Sequence, residues 1–196
     1  MDSKFTAKDL IVTGVFTALL FICAGVGGGI FAITPTLTFY YPIGASLLAG
    51  PVFMLYLAKV PKRGALIISG IIMCAVGTLT GMHWGMNFGY LVCCIIASFV
   101  AGAGHFKNKV LNIIAYIIYS IGPMGTYFVF FFMRDSWVKF MLKKGTEQEY
   151  IDKMNSVAGP AVMIIMVVGT IVVATLSGLL GLRLMKKQFE KAGIAE

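Results

Sequence analysis

Between positions 80 and 90 the chain reads Thr80-Gly-Met-His-Trp-Gly-Met-Asn-Phe-Gly-Tyr90, and four of these side chains could do chemistry. His83, Trp84, Asn87 and Tyr90 bring an imidazole, an indole, a carboxamide and a phenol into one short stretch. They combine hydrogen-bond donors and acceptors with flat apolar faces, which suits recognition of a small molecule. Asn87 and His83 would be costly in hydrocarbon without partners, so each other, water in a cavity or a solute must satisfy them. Glycines at 77, 81, 85 and 89 recur every four residues and would clear one helix face for close backbone contact. The stretch therefore supports two readings: one wall of a binding pocket, or a packing face with an interfacial Trp and a satisfied His83.

Bond-breaking chemistry lacks its residues. No paired carboxylates, no Ser or Cys nucleophile beside a His and no metal-ligand spacing occur, so the expectation is no enzyme, no catalytic residue, no metal and no cofactor. Cys23, Cys74, Cys93 and Cys94 all fall in apolar runs and read as small core residues. A phosphate-binding Gly-Lys-Ser/Thr motif is also missing, so any ATP hydrolysis must come from another polypeptide.

The elements that must position the cluster follow from composition. Hydrophobic residues make up 59% of the 196 residues, charged residues 12%, and mean hydropathy is +0.90, a balance that marks an integral membrane protein. Six apolar stretches approach the roughly 20 residues that a spanning helix needs, at about 10–33, 37–58, 65–82, 86–104, 110–132 and 157–182. The predicted fold is an all-α, six-transmembrane-helix bundle in one membrane domain, residues 1–196. Its first span is expected to persist as a mature helix, being too long for a signal peptide.

Local signals refine this outline. Thr6 with Asp9 predicts the start of the first helix, where Gly14 and Ala18 form a small-xxx-small pair. Thr34 to Pro42, with two prolines, three threonines and two tyrosines, predicts an ordered outer loop offering Thr36, Tyr40 and Tyr41. Pro51 predicts a kink in the second span, and Gly122-Pro-Met-Gly125 a break in the fifth, which carries Tyr119 and Tyr127. The outer loop 133–156 should hold two short interfacial helices. One ends at Gly145, and the other starts with a capping box of Thr146 and Glu149.

Orientation follows from counting Lys and Arg. Eleven of the 16 fall on one side: Lys4, Lys8, Lys59, Lys62, Arg63, Lys107, Lys109, Arg183, Lys186, Lys187 and Lys191. The other five, Arg134, Lys139, Lys143, Lys144 and Lys153, lie in the single long loop. Both the N and C termini are expected to be cytoplasmic. The net charge of +8 is then an orientation signal and implies no nucleic acid partner. Without acidic or basic residues in the span interiors, proton-driven transport by this chain alone is not expected.

The opening Phe5-Thr-Ala-Lys-Asp-Leu-Ile-Val-Thr-Gly-Val-Phe-Thr-Ala-Leu19 resembles the start of substrate-binding S components of energy-coupling factor (ECF) transporters. Tyr41-Pro42, Gly50-Pro-Val-Phe-Met-Leu55, Lys59-Val-Pro-Lys62 and Gly81 to Gly85 with Trp84 make the whole chain similar to the Trep_Strep family within that group. The resemblance implies an ABC-type importer subunit in a bacterial plasma membrane. Such a subunit captures a vitamin-like solute from outside and delivers it with a transmembrane T component and two cytoplasmic ATPases. It also implies docking of the T component at Gly14 and Ala18, with Gly standing where the family has Ala. The site implied draws on Thr36, Tyr40, Tyr41, His83, Trp84, Asn87, Tyr90, Tyr119, Tyr127 and Arg134. Arg134 and His83 would be its cationic groups, favouring a mildly anionic or neutral aromatic solute. The rival readings are a structural or assembly subunit whose glycine faces serve only partner helices, and a stand-alone small-solute carrier.

Overall fold

The computed structural model describes residues 5–191, with side chains described through residue 186. Lys4 lies outside the described residues, as do the side chains of Lys187 and Lys191. Among the described residues nine α-helices follow one another: α1 (Ala7–Ala32), α2 (Tyr41–Lys59), α3 (Arg63–Leu79), α4 (Trp84–Ala103), α5 (Lys109–Ile121), α6 (Gly125–Phe132), α7 (Arg134–Lys143), α8 (Gln148–Val157) and α9 (Pro160–Lys191). Short 3₁₀ turns at Thr38–Tyr40 and Gly122–Met124 lead into α2 and join α5 to α6.

Among the described residues five helical segments are long and apolar enough to cross a membrane: Ala7–Ala32, Thr38–Lys59, Trp84–Ala103, Lys109–Phe132 and Pro160–Lys186. α3 is equally apolar in character but has 17 residues, about 25 Å of helix, slightly short of a bilayer core. Leu10, Ile11, Val15, Leu19, Ile22, Val26 and Ile30 stay exposed along one side of α1, a stripe that suits lipid.

Several local expectations hold. Thr6 and Asp9 form the capping box at the head of α1, and Gly122-Pro-Met-Gly125 interrupts the fifth span as a 3₁₀ turn. Gly145, at φ +86°, follows α7 in a left-handed turn that glycine adopts without strain. Others are corrected. α8 is capped by Glu147 without a side-chain bond, and Glu149 instead pairs with Lys153 one turn on, at 2.7 Å. The last helix starts at Pro160, a residue suited to a first turn, and runs past Leu182 to Lys191, because its basic residues extend the helix beyond the apolar stretch. Gly81 is not on a helix at all; it sits in the turn between α3 and α4 with φ +78°.

Two apolar cores organise the packing. The larger runs through α1 to α5 and α9, around Phe53, Tyr56, Tyr90, Cys94, Tyr116 and Tyr119. Inside it Ser69 Oγ lies 2.7 Å from Thr17 Oγ1 and 2.8 Å from the Tyr56 hydroxyl, joining α1, α2 and α3 by hydroxyls. A second core, around Phe39, Met124, Phe130, Trp137, Ile151 and Met154, seats α7 and α8 on one end of the bundle. Trp137 packs edge-on against Phe130, at 5.0 Å between centroids, and Phe39 meets the same ring at 5.2 Å. The opposite end is tied by Lys62 Nζ to Asp9 at 2.6 Å and by Ser98 Oγ, which donates to the Arg63 carbonyl at 2.9 Å.

Candidate solute pocket under the α7–α8 cap

Where α7 and α8 fold over the bundle they border a partly open pocket of about 250 Å³. Its floor and walls come from Thr38 and Tyr41 at the head of α2, Gly81 to His83 and Met86 around the α3–α4 turn, and Thr126 and Tyr127 on α6. The cap contributes Trp137, Met141, Lys144, Tyr150 and Met154. Every contributing segment lies at the same end of the bundle, away from the Asp9–Lys62 pair.

His83 is the polar centre of this arrangement. It is the N-cap of α4, and its Nδ1 accepts the Gly85 backbone N–H at 3.0 Å. In the neutral ring that bond leaves the proton on Nε2. Burial favours the neutral form, holding the pKa down to about 4. The residue is only 6% exposed, and Nε2 has no hydrogen-bond partner. Aromatic rings surround the imidazole: Phe140 edge-on at 4.7 Å, Trp84 at 5.3 Å and Trp137 at 6.4 Å.

Several other polar groups around the pocket are already engaged. Trp137 Nε1 donates to Thr126 Oγ1 at 3.0 Å, and the Tyr150 hydroxyl donates to the Ala32 carbonyl at 3.2 Å, tethering the cap to α1 and α6. The Tyr127 hydroxyl lies 3.4 Å from Thr38 Oγ1. Lys144 is the one charged side chain of the lining.

The sequence-derived candidates divide among several places. Tyr41, His83 and Tyr127 line the pocket together. Tyr90 and Tyr119 lie deeper, beside a small void with Ala24, Ala45 and Ser120, where the Tyr119 hydroxyl has no partner. Asn87 is buried but clamps the α3–α4 tip, its Nδ2 donating to Thr78 Oγ1 at 3.1 Å and to the Met82 carbonyl at 3.4 Å. Trp84, 38% exposed, packs against the His83 ring but does not itself line the pocket. Thr36 is exposed and Tyr40 half-buried, and neither lines the pocket. Arg134 turns to the face of Phe130, 4.8 Å from its centroid, in a separate open depression. The cationic side chain at the pocket is thus Lys144 in place of Arg134.

The glycine repeat serves packing. A Cβ on Gly85 would strike the Gly125 carbonyl, and one on Gly89 would strike that of Gly122, so the start of α4 lies backbone to backbone against the 3₁₀ break. Gly77 leaves room for the Asn87 side chain in the same way. Gly14 and Ala18 behave differently. Nothing lies within 4 Å of a Cβ built on Gly14, and both residues line a shallow apolar groove between α1 and α3 with Phe21, Ile72 and Val76.

Among the described residues no group of three or more His, Cys, Asp or Glu side chains could hold a metal ion. The four cysteines are unpaired thiols, Cys94 fully buried and the rest half-buried. A family model described as a hypothetical bacterial integral membrane protein (Trep_Strep) matches residues 7–191. Neither a curated protein nor a solved structure matches the chain. With nearly its whole length inside that match and five helical segments able to cross a bilayer, the chain belongs to the Trep_Strep family and is a multi-pass protein of the bacterial plasma membrane.

Proposed function

We propose that the protein is the solute-binding subunit of an ECF-type importer: it takes a small vitamin-like molecule into the pocket beneath α7 and α8 and hands it on with a T component and two ATPases. The observation that carries this reading is the buried, unpartnered Nε2 of His83 in a pocket walled by aromatic and methionine side chains. A polar atom in that state costs stability unless something fills its hydrogen bond, and a solute in the adjoining pocket would do so. In this reading all six apolar helices cross the bilayer, α3 included, with both termini in the cytoplasm and the pocket facing outward. No catalytic role is assigned to any residue. Gly14 and Ala18 form the docking face for the T component, supported by the open groove beside them.

The test is co-purification. The chain is tagged and expressed in its native membrane, and the proteins retained with it are identified. A membrane protein of the T-component type and two nucleotide-binding subunits should be recovered, and Ala18→Trp should remove them without changing the thermal stability of the subunit itself. Recovery that is unaffected by Ala18→Trp would show that this face is not the docking surface. Recovery of neither partner type would favour the structural-subunit or stand-alone carrier readings.

A further inference from the structure

We propose that the pocket takes a flat, singly anionic aromatic solute of one or two rings, its ring held between the aromatic walls, its negative group on Lys144 and an acceptor atom on His83 Nε2–H. This rests on the reading of the pocket as a solute site. Charge is the first argument. Lys144 is the only ionised side chain of the lining and, among the described residues, forms no ion pair. Its Nζ lies beside Gly81, where a Cβ would come within 2.7 Å of it, so the absence of a side chain at 81 makes room for the ammonium at the pocket's edge.

None of the cap segment's four carboxylates is in the lining: Glu149 binds Lys153 at 2.7 Å, Asp152 accepts from Gln148 at 2.8 Å, Asp135 lies in the separate depression with Arg134, and Glu147 is exposed at the head of α8. One cation without a counter-charge favours a single negative charge on the solute and disfavours a cation. His83 adds a neutral donor, so it asks for an acceptor atom and not for a second charge.

Shape is the second argument. Tyr41, Tyr127, Trp137 and Tyr150 supply flat faces to the pocket, and four methionines fill the spaces between them. Rings prefer offset or edge contact with such faces, and thioethers adapt to a ring's outline. At about 250 Å³ the pocket falls below the roughly 300 Å³ at which sites for drug-sized ligands begin. One ring or two fused rings fill it; a larger ring system does not.

Quinoline-3-carboxylate, quinoline-3-carboxamide, 3-(aminomethyl)quinoline and cyclohexanecarboxylate separate these features. Affinity for the full chain in detergent is measured by calorimetry and by the shift in unfolding temperature. The carboxylate is expected to bind at least tenfold more tightly than either the carboxamide or cyclohexanecarboxylate, and the amine not at all. Lys144→Gln, on an exposed side chain, should lower the carboxylate to the affinity of the carboxamide and leave the carboxamide unchanged.

Binding of the amine, equal affinity for carboxylate and carboxamide, or indifference to Lys144→Gln overturns the anionic class. If the amine or carboxamide still binds and a pocket-filling Met86→Trp or Met82→Trp removes it, the anionic class fails while the pocket reading stands. If carboxylate binding survives both of those substitutions in folded protein, the site is elsewhere and both readings fail. A total lack of binding by these probes overturns the aromatic-anion class; a broad panel of neutral and cationic solutes that also fails removes the pocket reading with it.

Discussion

Ser177 on α9 donates its hydroxyl to the Leu47 carbonyl on α2 at 2.6 Å, the carbonyl that Pro51, four residues on, cannot reach with an N–H. The helix gap left by the proline is therefore closed from a neighbouring helix, as apolar surroundings require. Around that bond the helices meet closely: a Cβ on Gly50 would strike Ser177, and one on Gly181 would come within 2.8 Å of Pro51 Cα. Ser177→Ala should destabilise the protein by about 1 kcal/mol, within the range for interhelical hydrogen bonds in membranes. Pro51→Ala restores the helical N–H, so in that background the cost of Ser177→Ala should fall to about half or less. Unfolding in mixed detergent measures all four proteins, and equal costs in the two backgrounds would contradict the link.

The glycines of the α4 start can be sorted by what stands opposite them. Gly89→Ala and Gly125→Ala push a methyl into a facing backbone that has no flexible end to yield, and each should cost about 1–3 kcal/mol. Gly25→Ala and Gly29→Ala enter open space on α1 and should leave the unfolding temperature equal or higher. Midpoints from size-exclusion after heating distinguish the pairs; equal losses in both would mean that backbone apposition is not what the repeat serves.

Protonation gives a test of how His83 is buried. Its pKa lies at about 4 in the folded protein, below the ordinary value near 6.5, so between those limits the unfolded chain binds the extra proton. Stability owed to neutral His83 is whole above about pH 6.5 and declines as pH falls toward 4, by at most about 1.4 kcal/mol per pH unit. His83→Asn keeps an N-cap acceptor for Gly85 without the titrating group. Its unfolding temperature should fall less than that of the wild type between pH 7 and 5. Parallel curves would contradict the buried neutral imidazole.

Orientation is open to labelling. Cysteines placed at Lys62 and Lys143 in a cysteine-free background report opposite ends of the bundle. In intact cells an impermeant maleimide should modify Lys143→Cys and spare Lys62→Cys. The reverse pattern would put the pocket on the cytoplasmic side and end the capture reading.

Much of the scaffold is legible in the sequence, because spans are set by the length of apolar runs and ends by local chemistry. The Thr6–Asp9 cap, the Gly-Pro break before α6 and the turn at Gly145 need no tertiary information. The pocket is legible only in part. His83, Tyr41 and Tyr127 stand out as polar or aromatic residues near span ends, and they do converge. Trp84 is as conspicuous, but its partly exposed ring packs beside His83 without lining the pocket. Lys144 and Arg134 are equivalent as letters; the packing of Trp137 on Phe130 folds α7 so that Lys144 comes to the pocket while Arg134 stays outside it. Amphipathicity marks α7 and α8 as interfacial, yet only the tertiary fold shows that Trp137, Met141, Tyr150 and Met154 border a cavity with their apolar sides.

The most direct measurement is what the protein carries when purified from its own membrane. Native mass spectrometry of the wild type should show one additional bound species of low mass, competed off by excess of the same compound once identified. Folded Met86→Trp and Met82→Trp variants should lack it. A wild-type protein that carries nothing and gains no thermal stability from a broad solute panel would contradict solute capture beneath α7 and α8, as would a bound species retained unchanged by both variants.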